Sequence, residues 1–139
     1  MSGKRYFGGA SVKGTVRQMT ATSWKDLVTN YFNIPVFMDF DSLSPKDKAN
    51  GFVDYAQQFC DAPTIVRDLL HPCNYVMFET ISSKKDARRI RIVVDLQPMV
   101  PALHKPVIRH LASLLGVDMK RWKGCGESMV LSQPMFRPV

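Results

Sequence analysis

The 139-residue sequence has no apolar run approaching the ~18 residues that a membrane-spanning helix needs. Its N-terminus, MSGKRYFGGASVKG, is basic but lacks the apolar core of a signal peptide. Both absences lead us to expect a cytoplasmic protein. Cysteine is scarce: Cys60, Cys73 and Cys125 are odd in number and form no C-x-x-C pair. That excludes a disulfide framework, and His71-Pro72-Cys73 has no second pair at zinc-ligand spacing. The thiols are expected to be reduced and structural. The three histidines have no serine or cysteine partner in a nucleophilic pattern. Repeats and low-complexity segments are missing as well.

Acid is the charge in short supply. Twelve Asp and Glu face nineteen Lys and Arg, a net +7. Such an excess favours polyanionic partners, nucleic acid before an anionic membrane. No basic amphipathic helix with a large apolar face is present, so a membrane is set aside as a partner. Apolar content of 45% is that of a globular chain, and a domain of this length buries enough surface to need no staple. We expect a flexible basic arm over 1–20, with a short strand at Thr15–Met19, followed by one domain over 21–139.

Ser23 is a good N-cap, and Trp24, Leu27, Val28, Tyr31 and Phe32 repeat at helical spacing, so a helix is predicted there. Val36–Phe40 reads as an interior strand. Ser44-Pro45 opens a helix whose buried stripe is Phe52, Ala56, Phe59 and Cys60. A shorter helix after Pro63 turns Ile65, Val66, Leu69 and Leu70 inward. Tyr75–Thr80 and Arg89–Leu96 form an antiparallel hairpin. In its second strand Ile90, Ile92, Val94 and Leu96 point one way, and Arg89, Arg91, Val93 and Asp95 the other. His104–Leu115 is a helix ending at Gly116, and Ser128–Gln133 is a candidate last strand. The fold class predicted is α/β (α+β): a mixed sheet of four or five strands with helices packed on one face. Asp39, Asp41, Arg89, Arg91 and Asp95 share the other face.

Asp39 and Asp41 are two apart on a strand, so both side chains leave one face. Two close carboxylates repel, and a divalent cation relieves the repulsion, which suits nucleotidyl transfer. The same spacing also suits a turn signal. From Lys84 to Arg91 there are five basic residues in eight positions: Lys84, Lys85, Arg88, Arg89 and Arg91. Ser82 and Ser83 add hydroxyls, and the group suits phosphate oxygens. Lys120, Arg121 and Lys123 form a second basic segment. Tyr75, Phe78 and Trp122 are candidates to stack on bases, with Trp122 favoured by its cationic neighbours, while Trp24 reads as core.

The motifs VFMDFD, YVMFETISSK, RRIRIVVDL, IRHLASLLG and SQPMFRP occur in an order that resembles the archaeo-eukaryotic primase superfamily, in its phage, plasmid and satellite replication branch. TSWKDL resembles the helix that opens such domains. The resemblance implies an RRM-like, primase-like sheet in a DNA-binding domain of a mobile-element DNA replication protein that initiates or primes replication. It implies that Asp39 and Asp41 hold Mg²⁺ or Mn²⁺, with Asp95 as a third acidic ligand. Ser82, Ser83, Arg89 and Arg91 would contact a nucleotide triphosphate or the template. The family's Ser-x-His motif places a histidine within Ser82–Lys84, and Lys84 stands there instead. A lysine holds phosphate as a point charge without the histidine's hydrogen bonding. Enzymatic activity of the DNA primase/polymerase type is therefore left open. The rival reading is a non-catalytic origin-binding domain of a replication initiator that recognises specific duplex DNA. Either version is compatible with the N-terminal part of a longer protein, with a replicative helicase as following domain or partner.

Overall fold

The computed structural model describes residues 5–7, 36–96, 101–129 and 134–136. The helix expected from Ser23 and the strand expected at Thr15–Met19 lie outside the described residues. Within the expected arm, Arg5–Phe7 is a strand (β1), antiparallel to Pro134–Phe136 (β5).

The main sheet has three strands: Val36–Phe40 (β2), Asn74–Glu79 (β3) and Ile90–Asp95 (β4). Their order is β2-β4-β3, and both pairings are antiparallel. The mixed sheet of four or five strands is thus replaced, among the described residues, by a smaller antiparallel one. β4 is central and alternates as its sequence requires. Ile90, Ile92 and Val94 are buried against Val36, Met38 and Phe40 from β2. Arg91, Val93 and Asp95 face the other way.

The chain between β2 and β3 folds as three short helices: Pro45–Ala49 (α1), Tyr55–Asp61 (α2) and Pro63–Leu70 (α3). A single helix was expected from Pro45 through Cys60. It breaks because Gly51 adopts φ +91°, a left-handed conformation that suits glycine. The Ser44 hydroxyl accepts from the Asp47 N–H, and the Asp47 carboxylate accepts from the Ser44 N–H, a reciprocal cap. α2 delivers Tyr55, Ala56 and Phe59 to the core, and α3 delivers Val66 and Leu70. Ile65 and Leu69, expected inward, are exposed at 52% and 40%. α3 is two turns long and touches the core along one narrow stripe, which the i, i+4 pair Val66 and Leu70 fills.

His104–Leu114 (α4) buries Ile108, Leu111 and Ala112 on the same side of the sheet. Gly116, at φ +71°, turns the chain out of it. The 3-10 turn Met119–Arg121 and the short helix Cys125–Met129 (α5) follow. Ser128, expected to begin a strand, is buried inside α5, and 130–133 lie outside the described residues. Among the described residues no helix is long and apolar enough to cross a membrane.

Candidate nucleic-acid interface

Three cross-strand rungs order the sheet face opposite the core cluster, where Phe37 is itself 6% exposed. Phe37, Val93 and Val76 form one; Asp39, Arg91 and Phe78 form the next; Asp95 and Asn74 lie beyond the first. The register between β2 and β4 puts Arg91 directly opposite Asp39. Arg91 Nε donates to Asp39 Oδ1 at 2.7 Å, with both side chains nearly enclosed. One step beyond the strand ends, Arg89 Nη2 donates to Asp41 Oδ1 at 3.0 Å. Each of the two aspartates thus has its own guanidinium. Burial pushes the Asp39 carboxyl above its usual pKa, with Arg91 pulling it back and Asp41 adding to the rise.

The backbone at Asp39 is held with unusual completeness for the outer edge of a strand. Its N–H donates to Ser128 Oγ at 2.9 Å, and its carbonyl accepts from Trp122 Nε1 at 2.7 Å. Asp41 N–H donates to the Lys123 carbonyl. Residues 122–128 therefore dock on β2 where a further strand would pair. Gly124, at φ +108°, makes this approach possible: a Cβ there would collide with the Asp39 carbonyl oxygen. Ser128 Oγ donates to the Gly124 carbonyl, and the Ser128 carbonyl accepts from Nε2 of the buried His104. A carbonyl only accepts, so the proton sits on Nε2. Among the described residues His104 Nδ1 has no hydrogen-bond partner. Burial lowers the pKa of His104, with the Ser128 bond opposing and Lys105 assisting.

Trp122, the favoured stacking residue, is 2% exposed and stacks on Phe40 with ring centroids 5.0 Å apart. Its cationic neighbours were misleading. Trp122 is a single extended residue between the 3-10 turn that ends at Arg121 and the turn that begins at Lys123, and it enters the core while Arg121 stays exposed. Tyr75 pairs with Val94 and packs on the core side. Of the described stacking candidates, Phe78 alone belongs to the face of Asp39 and Arg91.

The hairpin between β3 and β4 satisfies most of its own polar groups. Lys84 and Ala87 exchange backbone hydrogen bonds around an exposed tip, Lys85-Asp86. Ser83 Oγ accepts from the Arg89 N–H and donates to Glu79. Its proton is thus committed, contrary to its expected role as a phosphate donor. Ser82 Oγ accepts from Arg89 Nη1 at 3.1 Å, which leaves its own proton available. Arg88 is tied to Glu79 at 2.6 Å, and this bond holds the Glu79 carboxyl below its ordinary pKa. Lys84 and Lys85 are exposed, and neither pairs with a carboxylate among the described residues. The same holds for Lys120. Arg121 lies 3.7 Å from Asp118, and Lys123 binds Asp47, whose carboxyl it and Ser44 bring down to about 2.

The two basic segments, some thirty residues apart in the chain, converge on Asp41. Arg89 reaches its side chain and Lys123 holds its backbone. Asp95 is not part of this group. It lies four residues along β4 from Arg91, about 13 Å at ~3.3 Å per residue. As placed, Asp39 and Asp41 do not fit a resident divalent ion, because each carboxylate already meets an arginine. No cluster of three His, Cys, Asp or Glu suitable for a metal occurs among the described residues. No family model, curated protein or solved structure matches the chain.

Proposed function

We propose that this chain is a primase-like, RRM-like DNA-binding domain of a mobile-element replication protein, and that it works by binding rather than by phosphoryl transfer. One observation carries the reading. The Lys84–Arg91 and Lys120–Lys123 segments meet at one end of the sheet, around Asp41. Exposed Lys84 and Lys85 on the first segment and Lys120 on the second offer cations to phosphates. Arg89 adds a planar donor that is two-fifths exposed. A catalytic version requires Asp39 and Asp41 to exchange Arg91 and Arg89 for Mg²⁺ or Mn²⁺, and Asp95 is too distant to complete the set.

Fluorescence anisotropy with labelled DNA at two salt concentrations tests the proposal. Binding is expected at low salt without a metal, weakening steeply as salt rises. The triple variant Lys84→Ala, Lys85→Ala, Lys120→Ala should bind more weakly and with a shallower salt dependence. Absence of binding at low salt overturns the proposal. Primer synthesis from nucleotide triphosphates with Mg²⁺ or Mn²⁺, lost in Asp41→Asn, would establish the catalytic version instead. Metal-independent preference for one duplex sequence over random duplex would identify an origin-binding initiator.

A further inference from the structure

The two edges of the main sheet are finished differently. On β2 the outward backbone groups of Asp39 and Asp41 are bound by residues 122–128. On β3, Thr80 N–H donates to the Arg89 carbonyl at 2.9 Å. In this register Phe78, Val76 and Asn74 exchange hydrogen bonds with Arg91, Val93 and Asp95. Tyr75, Met77 and Glu79 therefore turn their N–H and C=O groups away from β4. Among the described residues these groups meet no hydrogen-bond partner. The usual protections of such an edge are missing too. Asn74–Glu79 contains no proline and no lysine, and its register with β4 runs without a bulge. Apolar surface gathers at the same edge. The two most exposed large apolar side chains among the described residues are Ile81 at 62% and Val76 at 58%. Val76 belongs to β3, and Ile81 stands just beyond its last residue.

The strand is matched to itself. Met77 is the outward residue at its middle, so a two-fold axis there pairs the whole strand with an antiparallel copy. Met77 then faces Met77, and Tyr75 faces Glu79, with both hydrogen bonds exchanged at each position. Val76 of one copy lies opposite Phe78 of the other, in the closer, non-hydrogen-bonded kind of pair. A β-branched side chain against an aromatic ring is a favourable cross-strand pair. Glu79 is the charged residue of the strand, and Arg88 and Ser83 already hold it. The two-fold sets it against Tyr75 rather than another carboxylate. Antiparallel pairing also brings the hairpin of one copy, with Lys84, Lys85 and Asp86, to the end of the sheet where the other carries exposed Asp95. The Asp39–Arg91 and Asp41–Arg89 pairs lie between β2 and β4, away from this edge.

We propose that β3 is a dimerisation edge, pairing with β3 of a second copy of this chain about a two-fold axis at Met77. The result is one continuous sheet, β2-β4-β3-β3-β4-β2. The paired length is about 17 Å at ~3.3 Å per residue. So short a contact makes a reversible dimer, with a dissociation constant in the micromolar range expected. The proposal is independent of the DNA-binding reading, and no nucleic acid enters its test.

Sedimentation velocity of the full chain over roughly 1–100 µM should show a monomer at the low end and a dimer at the high end. Amide hydrogen exchange, followed by NMR at both ends of that range, locates the contact. The Tyr75, Met77 and Glu79 amides should gain protection of roughly 10-fold or more at high concentration. The Val76 and Phe78 amides, bonded to β4, should be protected at both. Val76→Lys places a charge on an exposed side chain of the edge, and a thermal melt checks that it folds. It should raise the dissociation constant of the dimer by about 10-fold or more. A wild-type chain that stays monomeric throughout the range overturns the proposal. So does a dimer whose Tyr75, Met77 and Glu79 amides exchange as fast as in the monomer, because another surface then forms it. Growth beyond a dimer overturns the two-fold register, since one pairing occupies the whole edge. An unchanged dissociation constant in folded Val76→Lys also overturns it. If that variant does not fold, the wild-type exchange pattern alone decides.

Discussion

Two Arg–Asp rungs cross from β4 to β2, one step apart, and they differ mainly in burial. In the inner rung Arg91 and Asp39 keep 11% and 13% of their side chains exposed. In the outer rung Arg89 and Asp41 keep 39% and 18%. The chemistry is the same, but the surroundings give the rungs different roles. The inner pair sits over a peptide fixed by Trp122 and Ser128, so losing either charge strands the other in a poorly solvated place. The outer pair is open to water, where an ion pair contributes little and a phosphate can compete for the arginine. The inner rung belongs to the architecture, and the outer one keeps the exposure that the proposed DNA contact requires.

The largest test of this contrast is Arg91→Ala. Urea denaturation should show a loss of roughly 3–5 kcal/mol, the usual cost of leaving a buried charge unpaired. A loss below ~1 kcal/mol would make the inner rung as dispensable as an exposed pair. Gly124→Ala comes next. Its Cβ would push the 122–128 segment away from Asp39, and a cost of about 2 kcal/mol or more is expected from strain and displacement. The same denaturation series measures it, and an unchanged midpoint would show that the segment does not secure the inner rung. For Arg89→Ala the expected loss is at most ~1 kcal/mol, accompanied by weaker DNA binding; the reverse pattern would erase the difference between the rungs.

Acid probes the inner rung through His104. Its pKa is depressed in the folded state, so the unfolded chain binds the proton more readily. His104 therefore contributes stability that is fully present above its ordinary value of 6.5 and is lost as pH falls through the lower folded value. The urea midpoint should be lower at pH 5.5 than at pH 7.5, and His104→Gln should flatten that difference. Asp39 acts with the opposite sign. Its raised pKa means that its contribution is fully present below the ordinary value of 3.8 and is lost as pH rises through the folded one. Comparison with His104→Gln isolates the histidine. The smallest effect on stability belongs to Lys84→Ala with Lys85→Ala, within about 0.5 kcal/mol. Their removal should nonetheless lower the salt dependence of DNA binding by roughly one unit per lysine.

Period-two patterning in Ile90–Asp95 made the central strand legible, with its buried isoleucines and outward Arg91. It also placed Asp39, Asp41, Arg89 and Arg91 on one face. The partners of those charges were not legible, because pairing depends on register, and register depends on which strands are neighbours. Once β2 lies beside β4, Asp39 meets Arg91 and the carboxylates cease to look like a vacant metal site. The role of Gly124 was hidden for the same reason. A glycine in a basic loop reads as a turn, and only the approach of β2 reveals that a side chain there has no room. The burial of Trp122 was not legible either, because it sits between a 3-10 turn and a second turn, where no strand alternation marks the inward side chain.

The hydrogen bonds from 122–128 to Asp39 join residues 83 and 89 positions apart. β2 is made early on the ribosome, and the segment that seals its outer edge emerges some eighty residues later. Until then the strand presents unpaired N–H and C=O groups, a template for association with another chain. Contacts of such long sequence separation close slowly. The interface around Asp41 is therefore among the last parts of the molecule to assemble, and a nascent chain halted before Trp122 would carry the basic hairpin without the edge that organises it.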